Sequence, residues 1–320
     1  MPRLSADSPV LARWWWALSV GGLGLLIASG AKRFLLWKQI NDLWGASPWE
    51  AFAHLHAHAL RLLVMQPVLL TAKLGIDADL VFSCFCLLCL VVAGVALGRA
   101  AGKAPAAAPA AFTSLALAAL PMYGRVVPAF TAVALVLAAG RQPGAWRWMA
   151  WVLAFLLGSV SSGTFAVVIL LLLVTGLVAL AEAASQWTRR TLALVLVAAL
   201  PVVLGLLALL TAYTIKALRC FEGDPWQLLT QGWGKVILDI RERAGDGPTL
   251  VLVAGALTGA GWWCLRGTAA GLSRLERAAL IIPVVVGLTG YNSFALIVPP
   301  LVLVALRRWD VTDRARIMRH

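Results

Sequence analysis

Long apolar stretches without a single charged residue recur along the whole chain, separated by short polar segments. Seven stretches contain no Asp, Glu, Lys or Arg: Trp14–Ala31, Leu80–Gly98, Ala104–Gly124, Trp148–Ala181, Thr191–Ile215, Pro248–Leu265 and Ala278–Leu306. A helix needs roughly 20 apolar residues to cross the hydrocarbon core of a bilayer. The pattern therefore predicts an all-α, polytopic transmembrane helical bundle, with residues 1–320 forming a single integral membrane domain.

The composition supports a membrane protein and changes how the positive net charge should be interpreted. Of the 320 residues, 61% are hydrophobic and 13% are charged, and the formal net charge is +13. A soluble chain this basic would indicate nucleic-acid binding. Here the basic residues cluster at the ends of apolar stretches, where they orient helices and contact anionic headgroups. We therefore expect membrane lipid as a partner, and no nucleic acid. The five cysteines lack the context of a structural disulfide or a zinc site, so we expect no metal and no cofactor.

The basic clusters predict a topology. They are Arg3/Arg13, Arg99/Lys103, Arg141/Arg147, Arg189/Arg190, Arg266/Arg274/Arg277 and Arg307/Arg308 with the basic tail 307–320. If all of them face the cytoplasm, an even number of crossings separates each neighbouring pair. This predicts about ten spans in five hairpins, with both termini cytoplasmic in a bacterial inner membrane. Hairpin turns are predicted at Pro121–Val127, Ser159–Gly163 and Gly290–Ser293, where Gly, Ser and Pro interrupt the apolar runs. The resulting short helices would thin the bilayer or leave indentations.

Two polar segments then face outward, about 32–79 and 216–247. The first contains the apolar run Leu60–Leu74, which is interrupted by Arg61, Pro67 and Lys73. This pattern predicts an interfacial or re-entrant helix near the membrane surface. In contrast, Ala104–Ala111 carries two prolines among alanines and is interpreted as a low-complexity linker.

Arg125 is the most informative single residue, because it stands between two uncharged stretches. An arginine in such a place costs several kcal/mol unless it faces water, a partner or an anionic ligand. One interpretation is an arginine at a hairpin turn that reaches back to water. The other is a clamp on a phosphate or diphosphate, which the planar guanidinium suits. The outward segments supply further candidates for binding an anionic substrate: Arg33, Arg61, Tyr123, Arg219 and Arg241.

The first outward segment also contains candidates for proton transfer. Asp42 and Glu50 are its acids, and a carboxylate near arginines that hold a diphosphate could accept the proton of an attacking hydroxyl. The alternative is a solvated loop acid paired with Lys38 or Arg33. On a helix, Glu50, His54 and His58 would share one face. Three interpretations remain open. The segment is an interfacial helix with titratable histidines, or His54 carries a proton in catalysis, or the face binds a metal whose further ligand the sequence does not assign.

This layout resembles a known class of membrane enzymes. An outward acidic loop follows the first span, then comes a Pro-containing apolar helix with Leu74–Ile76, then a Cys/Leu-rich span that ends in Gly98-Arg99. The pattern resembles glycosyltransferases of the GT-C type, and the polysaccharide polymerases of exopolysaccharide, capsule and O-antigen assembly, over residues 12–180. The resemblance implies a surface helix at Pro67–Ile76 and a hairpin at Leu120–Gly140. Asn41-Asp42 offers one acid where GT-C enzymes usually have two.

The expected function is therefore transfer of a sugar from a polyprenyl-phosphate or polyprenyl-diphosphate donor to a growing glycan on the periplasmic face. The expected partners are a polyprenyl-linked glycan and other membrane proteins of envelope biosynthesis. One alternative is a transporter or flippase, although such proteins tend to carry ionisable residues in mid-span. Another is a non-catalytic membrane component of an envelope or secretion assembly.

Overall fold

The computed structural model describes most of the apolar chain. The described residues are 8–35, 47, 49–50, 59–102, 105–122, 124–141, 144–184, 188–220, 245–248, 250–251, 254–255, 258–259, 272–287 and 293–317. Within these ranges the chain is α-helical with one 3-10 helix and no β-strand, which confirms the all-α prediction.

The described chain forms ten long helices and divides into two compact units. Unit 1 comprises residues 1–161 and 298–320, and unit 2 comprises residues 162–297. The helices of unit 1 are α1 (Pro9–Ala28), α2 (Ala59–Lys73), α3 (Ala78–Ala101), α4 (Ala107–Ala119), α5 (Val126–Ala139), α6 (Ala145–Gly158) and α10 (Val298–Ile317). Those of unit 2 are α7 (Ser162–Ala184), α8 (Arg189–Cys220), α9 (Arg274–Gly287) and the 3-10 helix Ser293–Ile297.

Helices α3 and α5 form the centre of unit 1. α3 packs against α1, α2, α4, α5 and α10, while α5 also packs against α6. Every residue of α5 is buried, as expected for a helix that is apolar on all sides and has protein on all sides. Between the two helices, the hydroxyl of Thr131 donates a 2.8 Å hydrogen bond to the carbonyl oxygen of Cys89.

Two glycines on α3 allow α4 to approach unusually closely. A methyl group added at Gly94 would lie 2.8 Å from Cβ of Phe112, and one added at Gly98 would lie 2.5 Å from Cα of Ala108. Small residues four apart on one helix let two backbones approach within van der Waals contact in a membrane. The contact also fixes the direction of α4, whose first turn lies beside the last turn of α3.

Local signals at the helix ends position the functional residues. Gly30 ends α1 with φ +77°, and the backbone N–H of Lys32 bonds back to the carbonyl of Leu26 at 2.9 Å. A left-handed residue at this position is the usual glycine-dependent way to end a helix. At the start of α3, Oδ1 of Asp77 accepts hydrogen bonds from the N–H groups of Asp79 and Leu80 at 2.9 and 3.3 Å, which is the normal role of an N-cap aspartate.

In unit 2, α7 packs against α8, α9 and the 3-10 helix. α9 begins with a reciprocal capping box. The backbone N–H of Ser273 donates to Oε2 of Glu276 at 2.9 Å, and the N–H of Glu276 donates to Oγ of Ser273 at 3.3 Å. α8 is a single helix with Pro201 inside it, and it contains the predicted span Thr191–Ile215.

Within the described residues, four helices are long and apolar enough to cross a membrane by length and composition: α1, α3, and the segments Thr164–Glu182 of α7 and Ala193–Ala212 of α8. α4, α5 and α6 are shorter, with 13 to 14 residues each. At 1.5 Å per residue each measures about 20 Å, against about 30 Å of hydrocarbon. The predicted helix breaks near Pro121–Val127 and Ser159–Gly163 are present, whereas the count of about ten spans in five hairpins stays a prediction.

One expectation from the sequence is wrong. The segment Ala104–Ala111 is not a linker as a whole, because α4 begins at Ala107 and Ala110 and Ala111 are buried. Pro109 lies in the first turn of α4, where a missing N–H costs no hydrogen bond.

Candidate functional site

The chain that leaves α1 packs onto the turn between α4 and α5. Nζ of Lys32 donates a 2.6 Å hydrogen bond to the carbonyl oxygen of Leu120, and it lies 5.0 Å from the ring centroid of Phe34. Leu120 is the C-cap of α4, and its carbonyl belongs to the electronegative end of that helix. A lysine at a helix C-terminus satisfies a terminal carbonyl and interacts favourably with the helix dipole.

Phe34 connects this segment to α3. Its ring is 1% exposed, and its backbone N–H donates a 2.9 Å hydrogen bond to Oγ of Ser83. The Ser83 hydroxyl in turn donates to the carbonyl of Asp79 at 2.6 Å. These bonds anchor the backbone at position 34 to the first turns of α3, so the neighbouring Arg33 starts from a fixed main-chain position.

Gly124 lies directly against Phe34. A methyl group added at Gly124 would be 2.8 Å from Cβ of Phe34 and 2.8 Å from Cε1 of Phe82. The carbonyl of Gly124 also accepts a 3.6 Å hydrogen bond from Sγ of Cys86. We call this part of unit 1 the Arg125 end, defined as residues 32–34, 77–86, 120–122 and 124–125. Arg33 and Arg125 are the chain neighbours of the contacting residues Phe34 and Gly124, so both belong to it.

The two arginines of the Arg125 end are only partly exposed. Nη2 of Arg33 lies 3.9 Å from Oδ2 of Asp77, its side chain is 24% exposed, and its Nη1 is buried without a hydrogen-bond partner among the described residues. Arg125 is the N-cap residue of α5 and is half-buried. The Asp77 carboxylate therefore has two roles: Oδ1 caps the N-terminus of α3, and Oδ2 forms the ion pair with Arg33.

The opposite end of unit 1 carries other basic residues. Nη1 of Arg141 donates a 2.9 Å hydrogen bond to the carbonyl of Ala100, so the end of α5 meets the end of α3. We call this the Arg141 end, and Arg99 lies within it. Arg147 follows in the first turn of α6, and Arg13 precedes Trp15, whose indole bonds to Thr113 of α4. Basic residues thus occupy both ends of the unit, with Arg33 and Arg125 at one and Arg99 and Arg141 at the other.

The remaining candidates stand as follows. Arg61 is on α2 and is 1% exposed, so this helix buries its arginine against protein rather than presenting it at the surface. Glu50 is exposed. Arg219 lies in α8 of unit 2, and its side chain is outside the described residues. Asp42, His54, Tyr123 and Arg241 also lie outside the described residues.

Sequence reasoning missed the residues that join the segments. Lys32, Phe34, Ser83 and Gly124 have no special pattern in the sequence, and their importance comes from contacts between residues 49 to 90 positions apart. The one local signal is Gly124 beside an isolated arginine, because a glycine next to a functional side chain often marks a close backbone approach.

The described chemistry of the Arg125 end suits anion binding. Two guanidinium groups start from adjoining backbone segments, and a partly buried guanidinium interacts more strongly with an oxyanion than one in bulk water. Among the described residues, no three His, Cys, Asp or Glu side chains form a group that could hold a metal ion. Comparisons with protein-family models, curated proteins and solved structures find no match to this chain.

Proposed function

We propose that this protein is a glycosyltransferase or polysaccharide polymerase of the bacterial inner membrane. It would use a sugar carried on a polyprenyl phosphate or diphosphate and act on the periplasmic face, in exopolysaccharide, capsule or O-antigen assembly. The observation that carries the proposal is the meeting of the Arg33 and Arg125 segments at one end of a helical unit, through Lys32–Leu120 and Phe34–Gly124. The four helices of membrane-spanning length in the described part of the chain support a lipid-linked substrate.

In this mechanism Arg33 and Arg125 bind the phosphate oxygens and stabilise the charge that develops on the leaving group. Stabilising developing charge with fixed donors is usually the largest single contribution to catalysis. A carboxylate, Asp42 or Glu50, accepts the proton of the acceptor hydroxyl as the glycosidic bond forms. His54 is the alternative proton carrier, while Tyr123, Arg219 and Arg241 are the further proposed contacts to the substrate. Arg61 is not among them, because it is 1% exposed.

We further propose a topology of about ten spans, with the Arg141 end in the cytoplasm and the Arg125 end in the periplasm. This assignment follows from the basic residues Arg13, Arg99, Arg141 and Arg147, since positively charged loops favour the cytoplasmic side. Both termini are then cytoplasmic. The lipid tail of the donor would remain in the bilayer beside the short helix α4, whose Leu117 is exposed.

The test is alanine substitution of Asp42, Glu50 and Arg125, with glycan chain length and membrane protein level as readouts. We expect shortened or absent glycan at normal protein level. Arg190→Ala is the matched control, because Arg190 is an exposed arginine on α8, and it should leave the glycan unchanged. Unchanged glycan in all three variants would refute the enzyme and favour a non-catalytic membrane component.

A further inference from the structure

Residues 32–34, which follow α1, are called the α1 exit. Their contact with the turn between α4 and α5 depends on Lys32 and Gly124, neither of which is proposed to bind the ligand. The ammonium group of Lys32 is directed to the carbonyl of Leu120 at 2.6 Å and lies beside the Phe34 ring. Its position is therefore set by the end of α4. The Lys32 side chain therefore links the segment that follows α1 to the end of α4, and the next residue along the chain is Arg33.

Gly124 sets the other half of the contact. Any Cβ at this position would come within 2.8 Å of both Phe34 and Phe82. Phe34 is 1% exposed and Phe82 is likewise 1% exposed, so neither ring has free space into which it can move. A larger residue would separate the turn from the α1 exit, and it would displace Arg125, the next residue along the chain.

We propose that Lys32 and Gly124 are positioning residues that hold the chain segments of Arg33 and Arg125 together, so that both side chains bind one diphosphate group. The inference rests on the proposed function for the identity of the ligand. Neither residue contacts the anion in this scheme. Each is adjacent in sequence to one of the two arginines, and each makes the contact that joins the two segments. The preorganised pair binds a diphosphate more tightly than two independent side chains would, because less conformational freedom is lost on binding.

A purely structural role makes a different prediction, and the chain offers a matched pair of glycines to separate the two. Gly98 is packed as tightly as Gly124, since an added Cβ would lie 2.5 Å from Ala108, but it belongs to the Arg141 end. Gly21 on α1 has no atom within 4 Å of an added Cβ. Gly98→Ala therefore reports the effect of lost stability alone, and Gly21→Ala reports the effect of the substitution itself.

The experiment measures binding to the full-length protein in lipid nanodiscs. The probes are inorganic pyrophosphate, a polyprenyl diphosphate and, as a neutral control, the corresponding polyprenol. We expect Lys32→Met and Gly124→Ala to weaken binding of both diphosphate probes by about tenfold, because each substitution displaces one arginine and so costs one charge-assisted hydrogen bond to the anion. Lys32→Arg should restore most of the affinity, because a guanidinium also donates to the Leu120 carbonyl. Gly98→Ala should lower the melting temperature without changing affinity, and Gly21→Ala should change neither.

The outcomes separate the inference from the proposed function. Equal affinity in the wild type, Lys32→Met and Gly124→Ala would overturn the inference, as would an equal loss in Gly98→Ala. Binding that depends on Lys32 and Gly124 in a protein that transfers no sugar would support the inference and refute the enzyme. A wild type that binds neither diphosphate probe would overturn the inference and would restrict the proposed enzyme to a donor carried on a monophosphate. Binding of pyrophosphate alone, without gain from the polyprenyl chain, would support the positioning role and assign the site to a free phosphate compound.

Discussion

The indole Nε1 of Trp15 donates a 3.0 Å hydrogen bond to the hydroxyl of Thr113, which joins α1 to α4. The same hydroxyl lies 3.0 Å from Oγ of Ser19 and donates to the carbonyl of Pro109 at 2.8 Å. Thr113 thus connects two turns of α1 with the first turn of α4. The ring of Trp16 packs beside it on Phe112, with ring centroids 5.4 Å apart, so the contact combines polar and aromatic interactions.

Replacing this threonine should weaken the attachment of α1. We expect Thr113→Val to lower the free energy of unfolding by about 1 kcal/mol, since interhelical hydrogen bonds in membranes contribute roughly that amount. Denaturation in mixed micelles measures the change. Thr211→Val is the control, because the Thr211 hydroxyl is exposed and bonds to Leu207 of its own helix. Equal destabilisation by both substitutions would show that the bridge to α1 contributes nothing beyond a local bond.

The capping box of α9 gives an independent prediction for unit 2. Ser273→Ala removes the acceptor for the Glu276 N–H, and it should lower stability by about 1 kcal/mol. Thermal unfolding of the purified protein measures the effect. Ser29→Ala serves as control, because Ser29 is an exposed serine that bonds only locally to Leu26 and Ala31. A melting temperature unaffected by Ser273→Ala but lowered by Ser29→Ala would contradict the assigned cap.

The proposed topology can be tested by labelling single cysteines in a chain whose five native cysteines are replaced by alanine. Pro121 at the Arg125 end and Arg141 at the Arg141 end are both exposed, which makes them a matched pair. We expect Pro121→Cys to react with a membrane-impermeant maleimide in intact spheroplasts. Arg141→Cys should react only after the membrane is permeabilised. Labelling of both positions from the same side would show that the Arg125 end and the Arg141 end do not lie on opposite sides of the membrane.

A double-mutant cycle tests whether Arg33 and Arg125 act on one ligand. If they do, Arg33→Ala and Arg125→Ala should each weaken diphosphate binding, and the double variant should lose less than the sum of the two. Residues that share a ligand or a network couple by about 0.5–3 kcal/mol, whereas distant residues add. Pairing Arg125→Ala with Arg190→Ala gives the additive reference. Strict additivity of the Arg33 and Arg125 substitutions would assign the two arginines to separate sites.

The all-α class and the positions of the described helices were largely predictable, because the information that sets them is local. Uncharged stretches predict apolar helices whatever their partners are, and the glycines and serines at Ser159–Gly163 predict a break without knowledge of the fold. The bounds differ by a few residues, as for Leu80–Gly98 against Ala78–Ala101. Where local information misled, at Ala104–Ala111, composition suggested a linker but the position of Pro109 within the first turn decided for a helix.

The site was predictable only in part, for a physical reason. Arg125 stands out in the sequence, because a charge between two apolar stretches requires an explanation. The bond from Lys32 to Leu120, 88 positions away, and the packing of Gly124 against Phe34 could not be inferred from the local sequence. The burial of Arg61 was equally hidden, because its sequence context does not show that α2 packs against α3 and α6. The local sequence pattern does not show which helices pack against each other. The residues that join the two segments of the site could therefore be identified only from the structure.

The exposed surface of α8 has a consequence for how this helix tolerates change. Its apolar window Ala193–Ala212 has a mean hydropathy of 2.9, and none of it is buried within the protein. Hydrocarbon chains are indifferent to the exact shape of the side chains they surround. Natural variation along this helix should therefore keep its length and its apolar character while the individual residue types change. In α5, by contrast, each side chain is surrounded by protein, so fewer substitutions should be tolerated.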